Sequence, residues 1–314
     1  MVSRAELPTL LLIALCYCVF GSATYLAGAE GGALPVMILA LVITLYSSLQ
    51  HEVIHCHPFR KQTWNDALIF PALGLFVPYL RFKETHLAHH FDPNLTDPYE
   101  DPETNFVDVL KWNKMSFLRR LGHKLNTTLL GRMTVGPIIG LGGFLRDDFE
   151  AFLNGEKRLV WHYVHHLFGV AIVLFWLVMI TNFPIWQYVA AAYLGMSILR
   201  IRTYLEHQAH ERAAARSVII EDRGLLAFLF LNNNFHAVHH SHPRLVWHQL
   251  PKAFERKRTH FLKKNDGYHY RSYWSVFKDH FVRPKDGPVH PLWSKEPALL
   301  QPNGIVDQSD LPKI

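Results

Sequence analysis

Two long stretches of the sequence contain no lysine or arginine, and they restrict the possible folds more than any other feature. They cover residues 5–59 and 159–199, and all 32 basic residues lie outside them. The apolar run Leu7–Ala27 alone is long enough to cross ~30 Å of hydrocarbon as a helix. The net charge of +6 does not indicate a nucleic-acid partner, because the basic residues surround these gaps instead of forming one patch. The pattern predicts an integral membrane protein.

Four apolar runs pair into two hairpins. Runs 7–27 and 34–50 are joined by a short turn without basic residues, and runs 159–183 and 184–199 follow one another almost directly. Cytoplasmic loops of membrane proteins are enriched in lysine and arginine, so the basic segments should share that side. We expect an all-α integral membrane protein with four transmembrane helices in two hairpins and a helical cap on the cytoplasmic side. A bacterial inner membrane is the expected location.

The domain organisation follows from the same pattern. A single membrane domain is expected over residues 1–290, followed by a poorly ordered tail over 291–314. The stretch 67–80 is too short for a span and is broken by proline and glycine, which favours a re-entrant or buried segment. The acidic, proline-rich loop 92–103 is typical of a solvated connector.

The 21 histidines are clustered, and three clusters have spacings that suit metal binding. Residues 51–55 form an H-x3-H pattern, and residues 86–90 and 236–240 both form H-x2-H-H. On a helix, positions three and four apart share a face, whereas adjacent positions diverge by about 100°. One cluster can therefore serve two metal ions, and eight imidazoles exceed the four ligands of a zinc site. Imidazole ligands suit zinc, copper, iron or nickel, and ligand type alone does not choose among them.

The order and surroundings of these clusters resemble the membrane fatty-acid desaturase family, a superfamily of histidine-box di-iron desaturases and hydroxylases. The runs 232–235 (NNNF) and 241–243 (SHP) flank the last cluster as in that family, and 202–207 (RTYLEH) resembles its fourth ligand-bearing segment. The resemblance covers roughly residues 34–251. It implies that two iron ions are bound by nine histidines, namely His51, His55, His86, His89, His90, His207, His236, His239 and His240.

The resemblance also implies a reaction. The enzyme would use O2 and external electrons to desaturate a fatty acyl chain or a similar lipid in the membrane. The sequence contains neither a His-Pro-Gly-Gly haem signature nor a cysteine-rich cluster motif. The electrons are therefore expected from a separate ferredoxin or cytochrome.

Two alternatives remain open. A hydroxylase or ketolase could act on a lipid-like substrate with the same di-iron site, since nothing in the clusters separates the two outcomes. A metal transporter is a more distant alternative. Transport would require polar residues at the bilayer midplane, whereas the centres of all four runs are apolar and the histidines gather at one end.

Further residues are candidates for holding the metal-bound rings in place. Such rings need a hydrogen-bond partner at the nitrogen that faces away from the metal. In some members of the family an asparagine four residues before the fourth-segment histidine also bears on the site, and Thr203 occupies that position here. The candidates are Glu52, Asp101, Thr203, Glu206, Asn233 and Asn234.

Two sets of histidines test whether spacing alone identifies a ligand. His210 lies three residues after His207 and could share its helical face, so it is a possible additional ligand. Residues 162–166 repeat the H-x2-H-H spacing but have no counterpart in the family pattern. We interpret His162, His165 and His166 as interfacial residues whose rings face lipid while their polar edges stay hydrated.

Overall fold

The computed structural model describes residues 6–292, and most of them are helical. The predicted tail, 291–314, lies outside the described residues except for its first two. In chain order the α-helices are α1 (Leu7–Ala27), α2 (Ala33–Ile54), α3 (Gln62–Leu68), α4 (Tyr79–Phe91), α5 (Val109–Lys114), α6 (Phe117–Leu125), α7 (Leu129–Thr134), α8 (Gly136–Leu153), α9 (Arg158–Phe175), α10 (Ile185–Thr203), α11 (Leu225–Leu229), α12 (His236–Ser241), α13 (Leu250–Arg256), α14 (Arg258–Lys264) and α15 (Tyr273–His280).

Shorter elements complete the chain. Trp176–Thr181 continues α9 as a π-helix, and 3-10 turns cover Gly28–Glu30, Ala213–Ala215 and Trp247–Gln249. Two strands, β1 (Ile219–Ile220) and β2 (His269–Tyr270), pair in parallel with Ile219 opposite His269. This ribbon ties the segment after α10 to the region before α15.

Among the described residues, three helical segments are long and apolar enough to cross a membrane. They are Leu7–Glu30, Ala33–Ile54 and Arg158–Thr181. The fourth predicted span is helical, as α10, but is not one of these three. Its sequence includes Gln187 and Ser197, which lower its hydropathy, and both side chains are buried inside the protein. The apolar helices establish a membrane protein, and the number of crossings remains a prediction.

Helix α2 is the centre of the bundle and packs against α1 and α10. Its contact with α10 is close because Gly195 has no side chain. A Cβ at Gly195 would lie 2.9 Å from Ile43 Cγ2 and 3.1 Å from the Ala40 carbonyl oxygen. The Thr44 hydroxyl also donates a hydrogen bond to the Gly195 carbonyl, at 3.1 Å. This packing fixes α2 beside α10, and the candidate histidines lie at the same end of both helices.

The segment between α3 and α4, which contains the prolines and the glycine of the 67–80 stretch, is not helical. Backbone groups in an apolar environment need partners within the protein. Buried tyrosines supply them here: Tyr46 donates to the Ile69 and Pro71 carbonyls at 2.7 and 2.6 Å, and Tyr188 donates to Leu73 at 3.0 Å. The segment can therefore lie inside the bundle and lead directly into α4.

The two hairpin turns lie at the same end of the bundle. The Gly32 amide donates to Gln187 Oε1 at 2.7 Å, which joins the first turn to the start of α10. The Trp176 indole also donates to Thr24 at 2.9 Å. The histidine clusters lie at the other ends of these helices. A second hydrophobic core lies beside α12 and contains Ile219, Phe235, Ala237, Val238, Leu250, Phe254 and Phe261.

Candidate metal centre

Four parts of the chain bring nine histidines together. Helix α2 supplies one from its last turn and another from the residue that follows it, and α4 and α12 supply three each. The ninth, His207, lies four residues beyond the end of α10. The nine form two groups, within each of which the potential ligand atoms all lie within 4.8 Å of one another. The first group contains His51, His55, His86, His90 and His239, and the second contains His89, His207, His236 and His240.

Helices α4 and α12 each contribute to both groups. His89 belongs to one group and His90 to the other, and His239 and His240 are divided in the same way. This is the result that the 100° helical step between adjacent residues predicts. One helix can thus hold ligands for two neighbouring ions without leaving regular geometry.

The Nε2 atoms converge within each group. In the first group, Nε2 of His55 lies 3.1 Å from that of His86, and His90 and His239 are also 3.1 Å apart at Nε2. In the second, the Nε2–Nε2 distances are 2.9 Å for His89–His207, 3.1 Å for His207–His236 and 3.0 Å for His236–His240.

A metal ion accounts for these distances better than hydrogen bonds do. A neutral imidazole has one N–H, so His207 Nε2 cannot donate both to His89 and to His236 while also accepting. Two nitrogens about 2.1 Å from a shared ion, at right angles, would be about 3.0 Å apart. The donor set therefore fits a metal ion in each group.

Acceptors on the opposite side of the rings favour the same arrangement. An acceptor at Nδ1 holds the proton there and leaves the Nε2 lone pair free for a metal. The partners are Glu103 for His86 at 3.0 Å, Asp101 for His89 at 2.7 Å, Asn233 for His236 at 3.2 Å and Ser217 for His207 at 3.3 Å.

Electrostatics favour neutral rings at most positions. Burial, followed by the charges of His86 and His89, lowers the pKa of His90 to about 3. Burial opposes protonation of His89 too, but Glu103 and Asp101 outweigh it and raise the pKa of His89 to about 9. A metal ion must displace that proton, since a coordinating nitrogen must be unprotonated. Burial, followed by electrostatic interactions with neighbouring histidines, holds the pKa values of four other rings well below their usual range: His207, His236, His239 and His240.

Three of the predicted supporting residues lie at or behind the rings. Asp101 and Asn233 contact His89 and His236 directly. Glu206 lies behind Asn233 and accepts a hydrogen bond from the Asn233 side-chain amide at 3.0 Å. It also forms an ion pair with Arg202 at 2.8 Å. These contacts form a chain of polar groups that leads away from the second group.

The other three predicted supporting residues have different surroundings. The buried Glu52 carboxylate accepts a hydrogen bond from the Trp247 backbone amide at 2.9 Å, not from a ring. The Asn234 side-chain amide donates to the Ile220 carbonyl at 2.6 Å. These two side chains hold the polypeptide around the site. The Thr203 hydroxyl has no hydrogen-bond partner among the described residues, and Thr203 lines a cavity that reaches His207.

The remaining histidine candidates lie outside both groups. His210 pairs with Asp266 at 3.2 Å. In the 162–166 cluster, His166 donates to the Leu75 carbonyl at 2.8 Å, and the His165 ring packs edge-on against Phe70 with a centroid separation of 4.5 Å. These contacts give His165 and His166 partners within the protein, and the interfacial interpretation of the cluster stays a prediction.

Glu103 and Ser217 are ring partners that sequence reasoning missed. Glu103 ends the acidic loop that was interpreted as a solvated connector, yet its carboxylate contacts His86. The available signal was a second carboxylate two residues after Asp101. Ser217 gives no local signal, because a bridge between His207 and Ser217 brings it into place through tertiary structure.

A cavity of about 1260 Å³ borders the second group. Its lining includes His207 together with Glu103 and Glu206, so it reaches the polar surroundings of the site. Elsewhere apolar side chains of α2, α4 and α10 line it: Ile43, Phe82, Met196 and Leu199. Charged side chains of the 96–108 loop and of α8 line it as well, so the cavity suits an amphipathic molecule.

The apolar helices and the two imidazole groups define a membrane protein with clusters that could hold metal ions. The family model for fatty acid desaturase matches residues 31–274, and the chain belongs to that family. A search of curated proteins finds no significant match. The family indicates an oxidoreductase that acts on a lipid or acyl substrate, with iron as the metal consistent with the histidine groups.

Proposed function

We propose that this chain is an O2-dependent, non-haem di-iron oxidoreductase that introduces a double bond into a fatty acyl chain. The observation that carries the proposal is the pair of adjacent imidazole groups, which share α4 and α12. A single mononuclear site would leave most of these nine rings without a role.

The nine histidines are the proposed iron ligands, five at one ion and four at the other. His210 is left out because it pairs with Asp266. When bound, the two ions supply O2 activation and the oxidising power needed to remove hydrogen from unactivated carbons. The protein holds the rings, and Asp101, Glu103, Asn233 and Ser217 fix their orientation. Burial of the site keeps bulk water away from it.

The proposed substrate path is the cavity beside the second group. An acyl chain would lie along its apolar wall and pass the site near His207. The electrons would come from a separate ferredoxin or cytochrome that docks on the cap.

We further propose that α1, α2, α9 and α10 all cross a bacterial inner membrane, with the histidine groups on the cytoplasmic side. The joined hairpin turns support this arrangement, since the Gly32–Gln187 hydrogen bond holds them at one end. The absence of lysine and arginine from both turns supports it as well.

The proposal predicts about two iron atoms per chain, because nine imidazoles exceed the needs of one ion. Elemental analysis combined with Mössbauer spectroscopy of the purified protein measures this. An active preparation with stoichiometric zinc and no iron would contradict it. Product analysis of lipids from expressing cells then separates desaturation from hydroxylation, with a His239→Ala variant expressed in parallel as the inactive control.

A further inference from the structure

Two arginine side chains line the cavity next to helix α8. Arg132 lies on α7 and is 7% exposed, and Arg200 lies near the end of α10. Both line the cavity that reaches His207. Among the described residues, neither guanidinium has a carboxylate oxygen within 4.0 Å, although buried charges in proteins are normally paired.

The Arg132 side chain has unused hydrogen-bonding capacity. One terminal nitrogen donates to Asn105, and the guanidinium lies 5.8 Å from the centre of the Tyr204 ring. Its Nε is buried and has no hydrogen-bond partner within the described part of the chain. Burial and then the charge of Arg200 lower the pKa of Arg132 to about 9, so the side chain is still cationic at neutral pH.

Helix α8 makes room for both guanidinium groups. A Cβ at Gly140 would lie 2.1 Å from Arg200 Nη2, and a Cβ at Gly136 would lie 3.2 Å from Arg132 Cδ. The two glycines are four residues apart and therefore lie on the same face of the helix. This face of α8 forms a wall against which both arginine side chains pack.

The carboxylates that interact electrostatically with Arg132 or Arg200 are already paired with other side chains. Glu206 pairs with Arg202 at 2.8 Å, Glu103 contacts His86 at 3.0 Å, and Asp286 pairs with Lys285 at 3.0 Å. Lys285 is a third cation on the cavity lining, but its ammonium group also donates to the His207 carbonyl at 2.7 Å. Lys111 and Arg119 also line the cavity, but both are exposed, so the capacity for an anion away from solvent is concentrated at Arg132 and Arg200.

We infer that Arg132 and Arg200 form the binding site for an oxyanion at the polar end of the lipid substrate. Guanidinium groups bind carboxylate and phosphate oxygens through paired, charge-assisted hydrogen bonds. The same cavity continues between apolar side chains, so one molecule can place its oxyanion at the arginines and its acyl chain beside His207. The inference rests on the proposed function and names its substrate class: an acyl lipid with an anionic end.

A binding experiment on the metal-loaded protein tests this without requiring turnover. Palmitate, dipalmitoyl phosphatidylglycerol, dipalmitoylglycerol and methyl palmitate compete for the protein in neutral detergent, and native mass spectrometry counts the bound lipids. We expect one of the two anionic lipids to be preferred over its neutral counterpart, which also distinguishes a carboxylate from a phosphate. Arg132→Gln and Arg200→Gln should each lower that preference about tenfold, as expected for one charge-assisted contact.

Arg146→Gln is the matched control. Arg146 lines the same cavity, but it is exposed and pairs with Asp147 at 2.7 Å, so its loss should leave the preference unchanged. Iron content at the wild-type level shows that a variant is intact. If Arg132→Gln loses iron, Arg200→Gln decides the question, with Arg200→Lys expected to recover part of the preference.

Equal binding of charged and neutral lipids by the wild type would overturn the inference. An equal effect of all three glutamine variants would overturn it as well, because it would indicate general attraction to basic residues. The result is separable from the proposed function. Selective binding without desaturation would contradict only the function, and desaturation without selectivity would contradict only the anion site.

Discussion

His239 and His165 occupy the same position in two clusters of identical spacing, but their surroundings differ. The His239 ring is buried, and its Nε2 lies 3.1 Å from that of His90. The His165 ring packs against Phe70 at the edge of α9. The direction of the ring nitrogen therefore distinguishes the two residues, whereas a motif count treats them alike.

Replacing these two histidines gives a matched pair of variants. His239→Ala should abolish turnover and lower iron per chain, because it removes a proposed ligand. His165→Ala should keep iron near the wild-type level and activity within a few-fold. Iron content measured alongside product formation checks both. Equal loss of iron would place the 162–166 cluster in the site and require a new ligand set.

Asp101 permits a second test at the residue scale. Its carboxylate accepts from His89 Nδ1 at 2.7 Å and should strengthen His89 as a ligand. Loss of such a partner typically lowers metal affinity by about 10- to 100-fold. We expect Asp101→Asn to lose iron to a competing chelator at correspondingly lower concentrations. Glu100→Gln, an exposed change in the same loop, should behave like the wild type, and a similar loss there would point to general loop damage.

The contact between α2 and α10 positions the ends of both helices, where His51 and His207 are found. It depends on Gly195, since a Cβ there would meet Ile43 at 2.9 Å. Gly195→Leu should destabilise the protein by about 1–3 kcal/mol through overpacking and reduce iron retention. Thermal unfolding followed with iron content measures both effects. Gly142→Leu is the control, because nothing lies within 4 Å of the position of its Cβ. Similar losses in both variants would argue against a specific role for this contact.

The features that could be predicted from the sequence depend on geometry within single helices. The division of His89 from His90, and of His239 from His240, follows from helical periodicity alone. The family was recognised from the same local patterns, and the family model confirms it. Asp101 and Asn233 could be proposed because they lie near the histidine clusters.

The features that were missed depend on tertiary contacts. Glu103 reaches His86 only because its loop folds back over α4, and Ser217 reaches His207 through a bridge. Arg132 and Arg200 are far apart in sequence, and the packing of α7 and α8 against α10 places both on the lining of one cavity. Conversely, Glu52 and Asn234 were expected at the rings but hold the backbone, because a position next to a ligand does not fix where a side chain points.

At the scale of the whole molecule, the proposed chemistry requires all four ligand-bearing segments to lie on one side of the membrane. His51 lies in the last turn of α2, and His207 follows α10. Both helices must therefore end on the side of the membrane where α4 and α12 lie. Two hairpins satisfy this requirement. An odd number of crossings between the first and last clusters would separate them.

Reporter fusions test that arrangement directly. Fusions after Gly31 and Asn182 should report from outside, because these residues lie in turns without lysine or arginine. Fusions after residues 110 and 260, which lie in basic segments, should report from the cytoplasm. A fusion at the C-terminus serves as the reference, and we expect it to be cytoplasmic. An external C-terminal reporter would mean that α9 and α10 do not form a membrane hairpin. Helix α12 would then be separated from α2 and α4, so neither imidazole group could form and a shared di-iron site could not exist.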